Sequence, residues 1–242
     1  MELGNITVGK ASFSDSSYLS TIHYCVNEGG KKEFVLKKSR KPIQTKTIEL
    51  MKKIFQFSHP NLLLPIDWEI QNGISIELYE KIEWPRLDKF SYEVDKNWNL
   101  GHAMKIIYQL TDVLSLFHNN GIIHHDVRDS NIFINKDTLE LKIFDYNYIA
   151  SPYFLEKGVD TWNPVPPEYR KGLCVIDFQF DVYQVGYLFQ RMTHRYTSHL
   201  KTKEPMFEIP KKIIKIMNRA LAENRKERYN NCSEFYLELN NF

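Results

Sequence analysis

Residues 121–131, Gly-Ile-Ile-His-His-Asp-Val-Arg-Asp-Ser-Asn, constrain this chain more than any other stretch. An apolar run delivers a loop carrying a carboxylate, Asp126, and five positions later a carboxamide, Asn131. A second apolar run, residues 139–144, delivers another carboxylate, Asp145. Phosphoryl transfer from a metal-bound nucleotide requires such a set. One carboxylate takes or orients the nucleophile's proton, while a carboxamide and a second carboxylate hold Mg²⁺. For that chemistry the fold has to bring these side chains to one place.

The elements before the loop read as a small sheet. Residues 6–8, 18–26 and 33–37 carry β-branched and aromatic side chains, with Gly29-Gly30 as a turn. A helix is expected over 45–57, with Ile48, Met51, Ile54 and Phe55 as its apolar stripe and His59-Pro60 at its end. Strands are expected over 62–68 and 74–79, around the turn Gln71-Asn72-Gly73. The rest reads as helical. Asn99 caps a helix striped with Met104, Ile107, Leu110, Leu114 and Phe117. Further helices are expected over 181–192, 210–222 and 233–239, and two short strands around 135–138. The whole reads as α+β, one large domain or two closely packed lobes over 1–242.

These motifs resemble the eukaryotic protein kinase family, whose loop reads HRDLxxxN and whose metal motif reads DFG; this chain reads HHDVRDSN and DYN. The resemblance spans nearly the whole sequence and implies the bilobal form: a sheet-rich lobe over about 1–80, a connection over about 80–85 and a helical lobe beyond it. It implies that Asp126 is the catalytic base with Arg128 beside it, and that Asn131 and Asp145 hold the metal. Lys37, in Phe34-Val35-Leu36-Lys37, stands where the family reads VAIK and would contact the α- and β-phosphates. Glu49 is the only carboxylate in the middle of the expected helix and is either the ion-pair partner of Lys37 or a solvated helix residue. His124, Asp181, Glu168 and Arg228 match structural positions. The resemblance implies that His124 packs under the metal motif, that Asp181 anchors the loop backbone and that Glu168 pairs with Arg228.

The chain departs from the family near the nucleotide. The glycine-rich loop keeps only Gly9, in Gly9-Lys10-Ala11-Ser12-Phe13-Ser14. Val35 adds two methyl groups where an alanine packs on adenine. His125 replaces the arginine that pairs with activation-loop phosphate, so Tyr148, Ser151, Tyr153 and Thr161 make poor switches. Asn147 replaces glycine. ATP and Mg²⁺ are the implied cofactors, with binding weakened.

Two functions stay open. One is a working protein kinase, with Ser/Thr against Tyr undecided. The other is a pseudokinase that binds another protein. A narrower resemblance favours the second. Residues 48–55 followed by Ser58-His59-Pro60-Asn61, and Val127-Arg128-Asp129-Ser130-Asn131, are similar to the mixed lineage kinase domain-like pseudokinase. Truncated viral relatives of that family imply a host kinase, such as a receptor-interacting protein kinase, as partner. A small-molecule kinase is disfavoured by the Pro166-Pro167-Glu168 segment and Arg228.

Composition sets the remaining bounds. A net charge of +2 gives no reason to expect nucleic acid. Cys25, Cys174 and Cys232 are scattered, which argues against a disulfide framework or zinc site. No apolar run has the length of a membrane span, no signal sequence is visible and position 2 is Glu, so a cytoplasmic protein is expected.

Overall fold

The computed structural model describes all residues except 1, 4–5, 8–12, 17–19, 27–31, 91–96, 147–148, 150–163, 172–176, 198–201 and 242. The chain forms two compact units: residues 1–58 with 63–83, and residues 59–62 with 84–242.

Among the described residues the first unit is a five-stranded antiparallel sheet with one helix. Strands β1 (Glu2–Leu3) and β2 (Ile6–Thr7) make a separate small pair. The sheet itself takes β3 (Phe13–Ser16), β4 (Ser20–Val26), β5 (Glu33–Ser39), β6 (Asp67–Gln71) and β7 (Ile74–Glu80), in the order β3-β4-β5-β7-β6. Alternation decides its faces. Cys25, Phe34, Leu36, Ile76 and Leu78 form an apolar cluster on one side, with Ile74 packed against it. Residues of opposite parity, among them Lys37, Ser75, Glu77 and Tyr79, therefore share the other side.

Helix α1 (Thr45–Ile54) is shorter than expected. Its end is closed by tight turns, with Gln56 and Phe57 donating to Lys53 and Ile54 at 3.2 and 2.9 Å. Lys52 and Lys53 sit in its last turn, where the helix dipole favours cations. The strand expected over 62–68 starts only at Asp67. Pro65 has no N–H to give a ladder, and Leu62 instead bridges to Ile143 in the second unit, to which residues 59–62 belong.

The second unit is mostly helical. Helix α2 (Leu100–Asn119) is capped by Asn99, whose side chain accepts from the His102 N–H at 3.2 Å. The hairpin β8 (Ile132–Ile134) and β9 (Leu141–Ile143) follows. Helix α3 (Pro167–Arg170) is one turn, and α4 (Phe178–Thr193) is capped by Asp177. Strands β10 (His194–Thr197) and β11 (Thr202–Pro205) form a hairpin that the sequence pattern does not announce. Helices α5 (Lys211–Ala220) and α6 (Cys232–Asn240) complete the unit. Helix α2 lies against α4 and α6. A Cβ at Gly186 would meet the Ala220 side chain at 2.8 Å, so glycine is what lets α4 and α5 approach so closely. Among the described residues no helix is long and apolar enough to cross a membrane.

Candidate active site

Helix α2 ends at a left-handed glycine, Gly121 (φ 71°), and the chain turns into the loop 122–131. Helix α4 fixes that loop. Asp181, fully buried in its first turn, accepts the backbone N–H groups of His124 and His125, each at 2.8 Å. Its carboxylate also lies 3.0 Å from His118 Nε2. His118 Nδ1 accepts the Cys232 N–H at 3.0 Å, so the imidazole proton belongs on Nε2 and is donated to Asp181. Burial pushes the Asp181 carboxyl up, but the His118 hydrogen bond and its neighbours outweigh it and hold the group below its ordinary value. One turn on, Gln184 accepts the Val127 N–H at 2.9 Å.

Asp126 has nearly the same burial, at 4 % exposed, and a different environment. Asn131 donates its amide to the Asp126 backbone carbonyl at 3.0 Å and to Oδ2 at 2.7 Å. Oδ1 is buried and makes no hydrogen bond among the described residues. Burial pushes the carboxyl up, the Asp145 charge adds to it, and Arg128 and Asn131 pull back, leaving it at about 7. A buried carboxylate oxygen without a donor costs free energy, and such groups concentrate where a substrate or cofactor completes the site. Both acceptors near the Asn131 amide fix its orientation, which turns its carbonyl oxygen away from Asp126.

Asp145 follows β9 in a left-handed conformation (φ 69°), as does His125 (φ 69°). Each such non-glycine residue stores about 1–3 kcal/mol of backbone strain, which persists where the surroundings over-determine it. Tyr146 is fully buried and its hydroxyl donates to the Ile143 carbonyl at 2.9 Å. His124 lies between Phe117, stacked at 6.0 Å, and Tyr146, edge-on at 5.9 Å. Burial lowers its pKa against the pull of Asp181 and Asp145, so the ring is neutral. The His125 ring is buried against Phe180 at 4.3 Å and Tyr169 at 6.4 Å. Arg128 Nε donates to Ser130 Oγ at 2.6 Å. Glu168 and Arg228 meet through two parallel bonds of 2.8 and 3.0 Å, and Arg228 also donates to the Ala222 carbonyl. The second unit thus brings Asp126, Asn131, His124 and Asp181 together and sets Glu168 and Arg228 as a separate brace.

In the first unit Lys37 is 6 % exposed, and its ammonium lies 3.7 Å from the carboxylate of Glu77, which is fully buried. Glu49, left open between ion-pair partner and solvated helix residue, is exposed on α1 and makes no ion pair with Lys37. The reason is rotational: α1 buries Thr47, Met51 and Ile54, and Glu49 falls on the opposite arc. Val35 is half-buried two residues before Lys37. Gly9 and Asn147 lie outside the described residues, as do the hydroxyls of Tyr148, Ser151, Tyr153 and Thr161 and the thiol of Cys174. Cys25 and Cys232 are buried free thiols.

Sequence reasoning missed Glu77, His118 and Gln184. The alternation Ile74-Ser75-Ile76-Glu77-Leu78-Tyr79 carried a signal, but polar residues on one face of a strand read most simply as solvated. His118 and Gln184 each lie inside a long helix, where nothing local marks an inward polar group.

The donor set suits a hard divalent cation. The Asn131 carbonyl and the Asp145 carboxylate would hold Mg²⁺, which needs few protein oxygens when nucleotide phosphates supply the rest and which there offsets phosphate charge. Among the described residues no group of three or more His, Cys, Asp or Glu side chains is placed to hold a metal.

Residues 18–241 match the sequence model of the protein kinase domain. The chain belongs to the protein kinase domain family. Its fold is similar to that of the Cydia pomonella granulovirus kinase PK-1, with a TM-score of 0.71 and 19% identity over 93% of this chain and 91% of that one. A protein of Acanthamoeba polyphaga mimivirus named as a serine/threonine-protein kinase is 27% identical over 142 residues, 53% of this chain and 50% of its own length. Human calcium/calmodulin-dependent protein kinase type IV is 27% identical over 175 residues, 69% of this chain and 36% of its own length. This kinase domain therefore aligns with half or less of the curated relatives described here.

Proposed function

We propose that this kinase domain binds Mg²⁺–ATP weakly, transfers phosphate poorly and acts chiefly by binding another protein in the cytoplasm. One observation carries the reading: α1 turns Thr47, Met51 and Ile54 inward and leaves its central carboxylate, Glu49, in solvent. Kinase turnover depends on an ion pair between the strand lysine and a carboxylate of this helix. Its loss removes the coupling by which helix position turns catalysis on. The buried His125 ring points the same way, because an imidazole packed among aromatic rings lacks arginine's charged fork and answers activation-loop phosphate poorly. The similarity of residues 48–61 and 127–131 to the mixed lineage kinase domain-like pseudokinase names the partner class as a host signalling kinase, such as a receptor-interacting protein kinase. Blocking necroptosis by occupying that kinase is the corresponding role, and a viral source agrees with the mimivirus relative.

The second reading is an active protein kinase. The Asn131–Asp126 contact and the exposed need of Asp126 Oδ1 for a donor favour it. Phosphate incorporation into a general protein substrate separates the two. Slow or absent transfer, together with recovery of one host kinase in a pull-down, is expected. Turnover of about 1–100 s⁻¹ that disappears in Asp126→Ala and Asp145→Ala would overturn the proposal.

A further inference from the structure

We infer that Glu77, on the sheet, is the residue that positions Lys37 for the nucleotide phosphates, in place of a helix carboxylate. The inference rests on the reading that Lys37 meets those phosphates.

The register makes the pair. Strands β5 and β7 run antiparallel with Lys37 directly opposite Glu77, so both side chains leave the same face. Trp68 of β6 is the next residue in that row, and Phe55, just beyond α1, packs edge-on against it at 5.0 Å. The end of α1 therefore covers this face, but its buried residues Thr47, Met51 and Ile54 bring no charge. Glu77 brings a negative charge to this face from the sheet itself.

Its neighbours hold it in place. Ser75 donates its hydroxyl to Oε1 at 2.9 Å and Tyr79 donates its hydroxyl to Oε2 at 2.5 Å. Both lie two positions from Glu77 on the same strand, so their side chains flank it on the same face. Ser39 Oγ accepts the Ser75 N–H at 3.0 Å, which ties the end of β7 to β5. Glu77 is thus a carboxylate with both oxygens occupied by neutral donors before the lysine arrives. The ammonium stands 3.7 Å from Oε2, beyond hydrogen-bond length, so the attraction is Coulombic and spends none of the lysine's N–H groups on Glu77. An anion that reaches Lys37 meets a positioned ammonium. A carboxylate that had captured the lysine through short hydrogen bonds would compete with that anion instead.

The arrangement has a functional consequence. A lysine held by its own sheet does not depend on the position of a helix. Nucleotide binding then depends less on a charge carried by the helix, which suits a binding module.

Affinities for Mg²⁺–ATP and for adenosine, measured on the full chain by competition with a fluorescent nucleotide, test this. Glu77→Gln is expected to weaken Mg²⁺–ATP by about tenfold, the order for losing one close charge pair, and to leave adenosine unchanged, since adenosine has no phosphates. Glu77→Asp keeps most of the ATP affinity, and Glu49→Ala keeps all of it. Loss of both ligands in Glu77→Gln reports a damaged fold, and Ser75→Ala then decides: ATP falls about threefold with adenosine kept, as for one lost hydrogen bond. Unchanged or tighter ATP binding in Glu77→Gln, or unchanged binding in Ser75→Ala where that variant decides, overturns the assignment while leaving the nucleotide reading intact. Wild-type protein that binds adenosine but gains nothing from the phosphates overturns both.

Discussion

Asp181 and Asp126 are both buried carboxylates of one loop system, and they end with opposite acidities. Asp181 receives two backbone N–H groups and the His118 imidazole, and its pKa falls below the ordinary value despite complete burial. Asp126 receives the Asn131 amide on one oxygen, keeps the other bare beside the Asp145 charge, and rises to about 7. The difference separates framework from chemistry. Where the fold supplies every donor, a carboxylate braces the backbone. Where it withholds one, the carboxylate keeps an unsatisfied oxygen, and we propose that substrate or cofactor completes it.

Removing the satisfied carboxylate is the harshest way to break the comparison. Asp181→Ala strands two backbone donors and His118, and about 5 kcal/mol of stability should disappear in urea unfolding, the upper range for breaking a buried charged contact. The sign with pH follows. A depressed folded pKa contributes stability that is present above the unfolded value of 3.8 and is lost as pH falls through the folded one. Wild type should therefore weaken below about pH 4, and Asp181→Asn should show a smaller acid dependence in the same titration.

Glu168→Ala tests a second satisfied carboxylate. It leaves the buried Arg228 guanidinium with the Ala222 carbonyl as a remaining acceptor, so a loss of about 3 kcal/mol is expected by the same measurement.

Asp126→Asn should go the other way. A carboxyl whose folded pKa is raised from 3.8 to about 7 contributes stability below the lower value that is lost as pH rises through the upper one. The full shift corresponds to about 4 kcal/mol at 1.36 kcal/mol per unit. Asparagine removes the charge, keeps one acceptor oxygen for the Asn131 amide and puts an NH2 group where Oδ1 lacks a donor. A gain of about 1–2 kcal/mol at pH 8 that vanishes by pH 4 is expected in parallel melts. A loss at pH 8 would erase the contrast with Asp181. The smallest effect belongs to Glu49→Ala, which should stay within about 0.5 kcal/mol, as for an exposed helix position.

Much of the architecture was legible because it rests on periodicity. The α2 stripe and its Asn99 cap, the alternating strands and the order of elements all follow from local pattern. So did the residues of the loop, since Asp126 and Asn131 are spaced five apart on a short turn. Partners across long separations were not legible. The sequence left Glu49 open between partner of Lys37 and solvated residue, because helix rotation is set by which residues bury, here Thr47, Met51 and Ile54. Glu77 looked like the solvated side of a strand because burial of that face depends on α1, 23 residues or more away in the chain. The His118 contact joins α2 to both α4 and the start of α6, and only the assembled unit reveals it.

We propose that Lys37 meets nucleotide phosphates and that Asn131 and Asp145 hold the accompanying Mg²⁺. Melting of the full chain with and without saturating Mg²⁺–ATP addresses that directly. Ligand at about 100 times its Kd should add roughly 2.7 kcal/mol of stability, and the gain should shrink in Lys37→Met. An identical melting curve with and without Mg²⁺–ATP would contradict it.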